Sequence, residues 1–313
     1  MHVDADDVVV TQGTQQALDL VARVLLSPGD VVAVEDPGYR VAADLFASHG
    51  ARVVPVPVDG EGIVVDRIPA GARLVYTTPS HQFPLGVTLS LGRRRQLLAH
   101  AARHGAAVVE DDYDSEFRHE PRPLDTLHCL DPTGHVIYVG TFSKSLLPSL
   151  RLGYLLCPPS LRPAVLAARQ LTDGYGPPHL QAALARFIDE GLLARHVRRA
   201  TRVYTERRAL VLEELARLPV AVVPSAAGLH VAAHLTDDAV AAAAVVAAAA
   251  REGVELEALQ PLGPGIREGL VLGFGATVTG SVRPGIRRLG RLLAGAGGSP
   301  TTPGPRRRSP ASR

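Results

Sequence analysis

Apolar positions in the first half of the chain follow two spacings in turn. Short β-branched runs read as strands: "DVVVT" (7–11), "VVAVED" (31–36), "ARVVPVPVD" (51–59), "LVYTTP" (74–79), "AAVVEDDY" (106–113) and "HVIYVGT" (135–141). Stretches with helical spacing lie between them. "GTQQALDLVARVLLS" is stopped by "PGD", and "GYRVAADLFASHG" is closed by Gly50. "SLGRRRQLLAHAARHG" carries Ser90 as N-cap and Gly105 as C-cap. The alternation predicts an α/β fold, a mostly parallel sheet covered by helices on both faces. In such a sheet ligands collect at the carboxyl ends of the strands.

Past about Pro158 the pattern changes. Residues 180–218 read as one long helical stretch, broken near Gly191. Then come a strand "GLHVAAHL", a helix "TDDAVAAAAVVAAAAREG", a strand "GLVLGFGA" and a closing helix "VRPGIRRLGRLLAG". This is the pattern of a smaller α+β domain. The expected organisation is a large domain over 1–190, a small one over 191–295, and a disordered basic tail over 296–313, rich in Pro, Gly and Ser.

Composition narrows the function classes. At 313 residues, 46% hydrophobic and 20% charged, the chain can bury one large core and a smaller one. Its net charge of +2 comes from the tail, so the folded part is not expected to bind nucleic acid. Cys129 and Cys157 lack the spacing of a metal or redox pair and are expected to be buried thiols. The longest apolar run, "AVAAAAVVAAAA", is too short and too Ala-rich to span a bilayer. No secretory leader pattern opens the chain, so no membrane partner and a cytoplasmic location are expected.

One residue type changes the picture. The chain has 32 arginines and a single lysine, Lys144, just past the strand "HVIYVG". A neighbouring strand ends in "EDDYD", placing carboxylates at the same sheet edge. Arg151 follows seven residues after Lys144, and "TQGTQQA" leads a glycine turn into a helix N-terminus, a natural anion site. An amine, a carboxylate, an arginine and free N–H groups at one edge suggest pyridoxal 5'-phosphate. That cofactor needs an amine for a Schiff base, an anion beside its pyridinium nitrogen and a phosphate cradle. Arginine cannot supply the amine, because its guanidinium stays protonated.

Six segments carry a family resemblance: "VVVTQGTQQALDL", "VEDPGYR", "YTTPSHQFPLGVTLS", "VVEDDYDSEFR", "GTFSKSLLPSLRLGY" and "FIDEGLLARHVRRATRVYTERR". In this order, over about 7–295, the chain resembles the aminotransferase-like domain of MocR regulators, a branch of the GntR-type transcription factors. It thus resembles the class I/II aminotransferases of PLP fold type I. The resemblance implies a Schiff base on Lys144 and pairing of Asp111 with the pyridinium nitrogen. It implies that Tyr113 bonds the ring's phenolic oxygen and that Tyr39 stacks on the ring. Gly13, Thr14, Gln15, Thr141, Ser143 and Arg151 would cradle the phosphate.

The pattern departs from that of transaminases at two places. Phe83-Pro84-Leu85-Gly86 stands where they carry Asn-Pro-x-Gly, leaving His81 or Gln82 to replace the asparagine. Val271 stands where many place a carboxylate-clamping arginine, and Arg267 is a candidate substitute. Three functions are carried forward: an effector domain sensing a small amine or amino acid, an active aminotransferase, or a truncated fragment without function. The resemblance also implies a homodimer, and DNA contact only through an N-terminal winged-helix domain absent from this chain, which would be a truncation, a misplaced start or a fragment.

Overall fold

The computed structural model describes residues 3–119, 124–259, 261–263 and 267–296. The expected tail, beyond Ala296, lies outside the described residues. Eight strands form the larger sheet: β1 (Val8–Thr11), β2 (Val31–Asp36), β3 (Arg52–Asp59), β4 (Gly62–Ile63), β5 (Ala72–Thr77), β6 (Ala107–Asp112), β7 (Val136–Thr141) and β8 (Gly153–Leu156). Their order is β1-β8-β7-β6-β5-β2-β3-β4. The pairs β3–β2, β2–β5, β5–β6 and β6–β7 are parallel. Only β4 and β8 run against them. Pro55 and Pro57 fit in β3 because its outer side is paired only at Val58 and Asp59, by the two-residue β4.

Pleating sends alternate side chains to two cores. Val32, Val34, Leu74, Tyr76, Val109, Ile137 and Val139 pack under α1 (Thr14–Leu25), α2 (Arg40–Ser48) and Val165 of a later helix. Ala33, Val75, Val108 and Val136 face the other way, onto α3 (Leu91–His104) and Leu127 of α4 (Leu127–Leu130). The expected caps of α3 hold: Ser90 Oγ accepts from Arg93 N at 3.2 Å, and Gly105 is left-handed at φ 65°.

The helices α5 (Arg162–Thr172), α6 (Pro178–Asp189) and α7 (Leu192–Leu215) follow. The expected break is real: Gly191 at φ 69° separates α6 from α7. Beyond them β9 (Val220–Val222), β10 (His230–Leu235), β11 (Glu257–Ala258) and β12 (Gly269–Gly273) form an antiparallel sheet, ordered β11-β12-β10-β9. It packs on α7, α8 (Ala242–Arg251) and α9 (Thr279–Ala296). The helix expected from Thr236 begins only at Ala242. Asp237 takes the N–H groups of Ala239 and Val240 into a turn, and Glu268 accepts from Ala242 N at 2.9 Å, capping the helix from another segment.

Two ties join the sheets near one edge. Asp36, at the end of β2, accepts from Leu262 N at 2.7 Å and Gly263 N at 2.9 Å. His230, at the start of β10, lies 3.0 Å from the Pro84 carbonyl. Among the described residues, no helix is long and apolar enough to cross a membrane.

Candidate functional site

The topology brings the flagged residues to one edge. The carboxyl ends of β1, β2, β5, β6 and β7 lead into Gly13, Tyr39, His81, Tyr113 and Lys144, and Arg151 precedes β8 at the same edge. The order in the sheet puts the Lys144 loop between the β6 end and the Arg151 segment.

At the outer corner β1 pairs with β8, Thr11 opposite Gly153. Arg151 is the only non-glycine described residue with a left-handed backbone, at φ 50°, a conformation uncommon for a branched or long side chain. The side chain lies across Gly13: a Cβ there would sit 3.3 Å from the guanidinium carbon. Arg151 donates to the Gln12 carbonyl at 3.0 Å and to Gln15 Oε1 at 3.5 Å. Gly13 at φ 79° starts α1 with no side-chain cap, so Thr14 and Gln15 open a helix whose first N–H groups face this corner. Thr141 and Ser143 are linked there, Thr141 Oγ1 donating to Ser143 Oγ at 3.0 Å and accepting from Ser143 N at 3.1 Å. A guanidinium, a helix N-terminus and two hydroxyls suit a phosphate. Lys144 is exposed.

The acidic end of β6 divides by the pleat. Glu110 turns to one face, where it accepts from Leu127 N and His128 N at 2.9 Å and stands 3.7 Å from the buried Arg94. Asp112 bonds Ser115 and Tyr138 at 2.7 Å. Asp111 is buried; Tyr76 donates to its Oδ2 at 2.7 Å, while its Oδ1 has no partner. Burial, reinforced by Asp112, Asp114 and Glu35 against the Tyr76 bond, pushes its carboxyl up to about 7. A buried carboxylate with one open oxygen and a raised pKa is built to meet a cationic N–H. Asp112 Oδ1 is likewise unpartnered, but the pleat turns Asp112 to the same face as Glu110, away from Asp111.

The two candidates for the missing asparagine separate. Gln82 is consumed by structure: its amide donates to the Pro37 and Phe83 carbonyls and to Glu35, and its oxygen accepts from Leu85 N. His81 is buried, with Nδ1 3.0 Å from Asp114 Oδ2 and 3.0 Å from the Tyr113 hydroxyl. Tyr39 stands edge-on to Phe83 with centroids 5.9 Å apart. Sequence reading missed Asp114 and His230, whose roles depend on two loops meeting. It also missed Glu35, which binds Thr77, Thr78 and Gln82 and fixes the β2 and β5 loops together.

Two expectations are corrected. Arg267 precedes Gly269, which pairs with His234, whereas His230 at the site pairs with Gly273. Four strand residues at about 3.4 Å each put Arg267 at the far end of the small sheet, where it faces Asp238 at 3.8 Å. It cannot replace a clamp at the site. Val271 itself is buried with Leu85, Val87, Ala232 and Leu259. Cys157 is buried, but Cys129 is exposed, because the single turn of α4 directs only Leu127 into the core.

The chain is similar to known proteins in sequence and in fold. The sequence profile of the family described as aminotransferase class I and II matches residues 1–264. The chain is 45% identical over 204 residues to the probable rhizopine catabolism regulatory protein MocR of Rhizobium meliloti, covering 65% of this chain and 41% of that protein. It is 36% identical over 299 residues to the HTH-type transcriptional regulator YhdI of Bacillus subtilis, covering 92% and 62%. The chain thus spans about half the length of these relatives. A crystal structure of Pyrococcus horikoshii kynurenine aminotransferase, in complex with PMP, KYN and KYA, superposes with a TM-score of 0.86 at 31% identity, over 93% of this chain and 76% of that one.

Proposed function

The chain belongs to the aminotransferase class I and II family, and from that premise we propose that it is the pyridoxal-phosphate-binding effector domain of a MocR-type regulator, sensing a small amine or amino acid. One observation carries the proposal. The single lysine, the unpaired Oδ1 of buried Asp111 and the guanidinium of Arg151 lie at one sheet edge. These residues fit the cofactor, since each covers a different part of it.

Bound pyridoxal phosphate supplies an aldehyde that takes up amines and a ring that withdraws electrons. Lys144 offers the primary amine and, once displaced, a base at the same position. Asp111 holds a proton against the ring nitrogen, with Tyr76 fixing its other oxygen. Arg151, Thr141, Ser143 and the start of α1 hold the phosphate. Tyr39 would stack on the ring, and Tyr113 would hydrogen-bond its phenolic oxygen. The protein would act as a homodimer; it would reach DNA only through a segment outside this chain, a reading that relatives named as HTH-type regulators support.

The effector reading is favoured over an active aminotransferase by the buried, apolar Val271 and the distant Arg267. The test is spectroscopic. Chain mixed with pyridoxal phosphate gains a long-wavelength absorbance band that Lys144→Ala lacks. Identical spectra for the two proteins would overturn the cofactor reading. Amino acids that perturb the band without releasing a keto acid support a sensor, whereas stoichiometric keto-acid release makes the chain an aminotransferase.

A further inference from the structure

A buried histidine pair lies behind Tyr113. His81 and His230 have ring centroids 4.6 Å apart, and Asp114 stands 3.0 Å from His81 within the same buried cluster. His81 Nδ1 meets both Asp114 oxygens, at 3.0 and 3.2 Å, and the Tyr113 oxygen at 3.0 Å. Its Nε2 is buried without a partner. The ring is boxed in by backbone from both sheets. A Cβ on Gly228, at φ 91°, would fall 1.8 Å from His81 Cε1, and one on Gly86 would fall 3.1 Å from Nε2. Gly228 is itself held by its N–H to the Phe117 carbonyl at 2.8 Å, three residues past Asp114.

The chemistry of these contacts selects one proton arrangement. A carboxylate only accepts, so the hydrogen is on His81 Nδ1. Nδ1 then has no lone pair for the Tyr113 hydroxyl, and the phenol oxygen must accept there. Its own proton is left to be donated elsewhere. Burial together with the charges of Asp114, Asp111, Glu35 and Asp112 holds the Tyr113 phenol well above its ordinary pKa, so that proton is retained. His230 takes the opposite tautomer. Its Nε2 faces the Pro84 carbonyl, which only accepts, and burial beside His81 pushes its pKa down to about 3, leaving it neutral.

We propose that Asp114 and His81 are positioning residues that hold Tyr113 as an obligate hydrogen-bond donor to the occupant of the site. The occupant's identity, a phenolate-bearing pyridoxal phosphate, rests on the reading above; the proton arrangement does not. Because Gly228 and His230 lead into β10, this polarity depends on the small sheet being docked.

The experiment has two arms. Long-range 15N–1H spectra of the cofactor-free chain report each imidazole tautomer. His81 is expected with its proton on Nδ1 and His230 with its proton on Nε2; a proton on Nε2 of neutral His81 overturns the proposal. In the second arm, the pH midpoint of the absorbance of the cofactor-loaded chain is compared across variants. Tyr113→Phe, Asp114→Asn and His81→Gln are expected to move it in one direction by about one pH unit, tenfold in proton affinity. His81→Asn keeps an N–H donor at the place of Nδ1 and should restore the wild-type midpoint. Asp114→Asn and His81→Gln behaving as wild type while Tyr113→Phe shifts would also overturn it. If no variant takes up the cofactor, the cofactor reading fails, and the tautomer spectra still decide the proposal.

Discussion

At the scale of single residues, the corner formed by Gly13 and Arg151 is the most sharply constrained. Gly13 needs φ 79°, and a Cβ there would lie 3.3 Å from the guanidinium carbon of Arg151. At φ 79°, ψ 178° Gly13 occupies a region open almost only to glycine, so Gly13→Ala adds strain of about 1–3 kcal/mol and pushes Arg151 aside. We expect pyridoxal phosphate to bind at least tenfold more weakly in a fluorescence titration, with the fold retained. Asp111 makes a second prediction. Its carboxyl titrates at about 7 in the folded chain against an ordinary 3.8, so the folded state keeps a proton that the unfolded chain releases. The stability from this group is full below about pH 4 and is lost as pH rises towards 7. In the cofactor-free chain Asp111→Asn removes that loss. Its stability gain over wild type, read by urea unfolding, should grow from pH 5 to pH 8 and reach about 2–4 kcal/mol. A gain that shrinks with pH would contradict the assignment. Lys144 and Arg151 were legible in the sequence because residue type alone limits their chemistry. The His81–Asp114 contact was not, since it joins residues 33 apart through two irregular loops.

At the scale of elements, periodicity carried what was long enough to have a period. The parallel strands and α1 to α3 follow their apolar spacing. β9 and β11, with three and two residues, have none to read and exist because β10 and β12 template them. The late start of α8 was hidden because its cap, Glu268, is 26 residues away. The α6–α7 break was visible as a lone glycine in a helical run, and it yields a test. Gly191 adopts φ 69° with nothing within 4 Å of where a Cβ would lie. Gly191→Ala therefore meets no steric clash, only backbone strain. We expect a loss of about 1 kcal/mol in chemical denaturation and an unchanged cofactor spectrum. A loss several times larger would mean that the break also fixes how α6 packs.

At the scale of the whole molecule, the helices α5 and α6 stand out among the described residues as poorly covered. α5 and α6 bury only Val165 between them. Leu171 is 89% exposed and Tyr175 78%, with Leu166, Leu180 and Ile188 also exposed. Five large apolar side chains exposed on two successive helices and the turn between them are the feature of an interface. It borders the candidate site, because Gln12 bonds Asp173 at the end of α5, and Leu147, 59% exposed, lies in the Lys144 loop. A second copy of the chain covering this face would close over the phosphate corner, so dimerisation and cofactor binding would be linked by mass action. Leu171→Asp combined with Tyr175→Asp is expected to sediment as a 33.0 kDa monomer and to bind pyridoxal phosphate with an affinity that no longer depends on protein concentration. The wild type should bind it more tightly as concentration rises. Because linkage is reciprocal, added cofactor should lower the wild-type dimer dissociation constant by the factor through which dimerisation raises cofactor affinity. Unequal factors would separate the apolar face from the site.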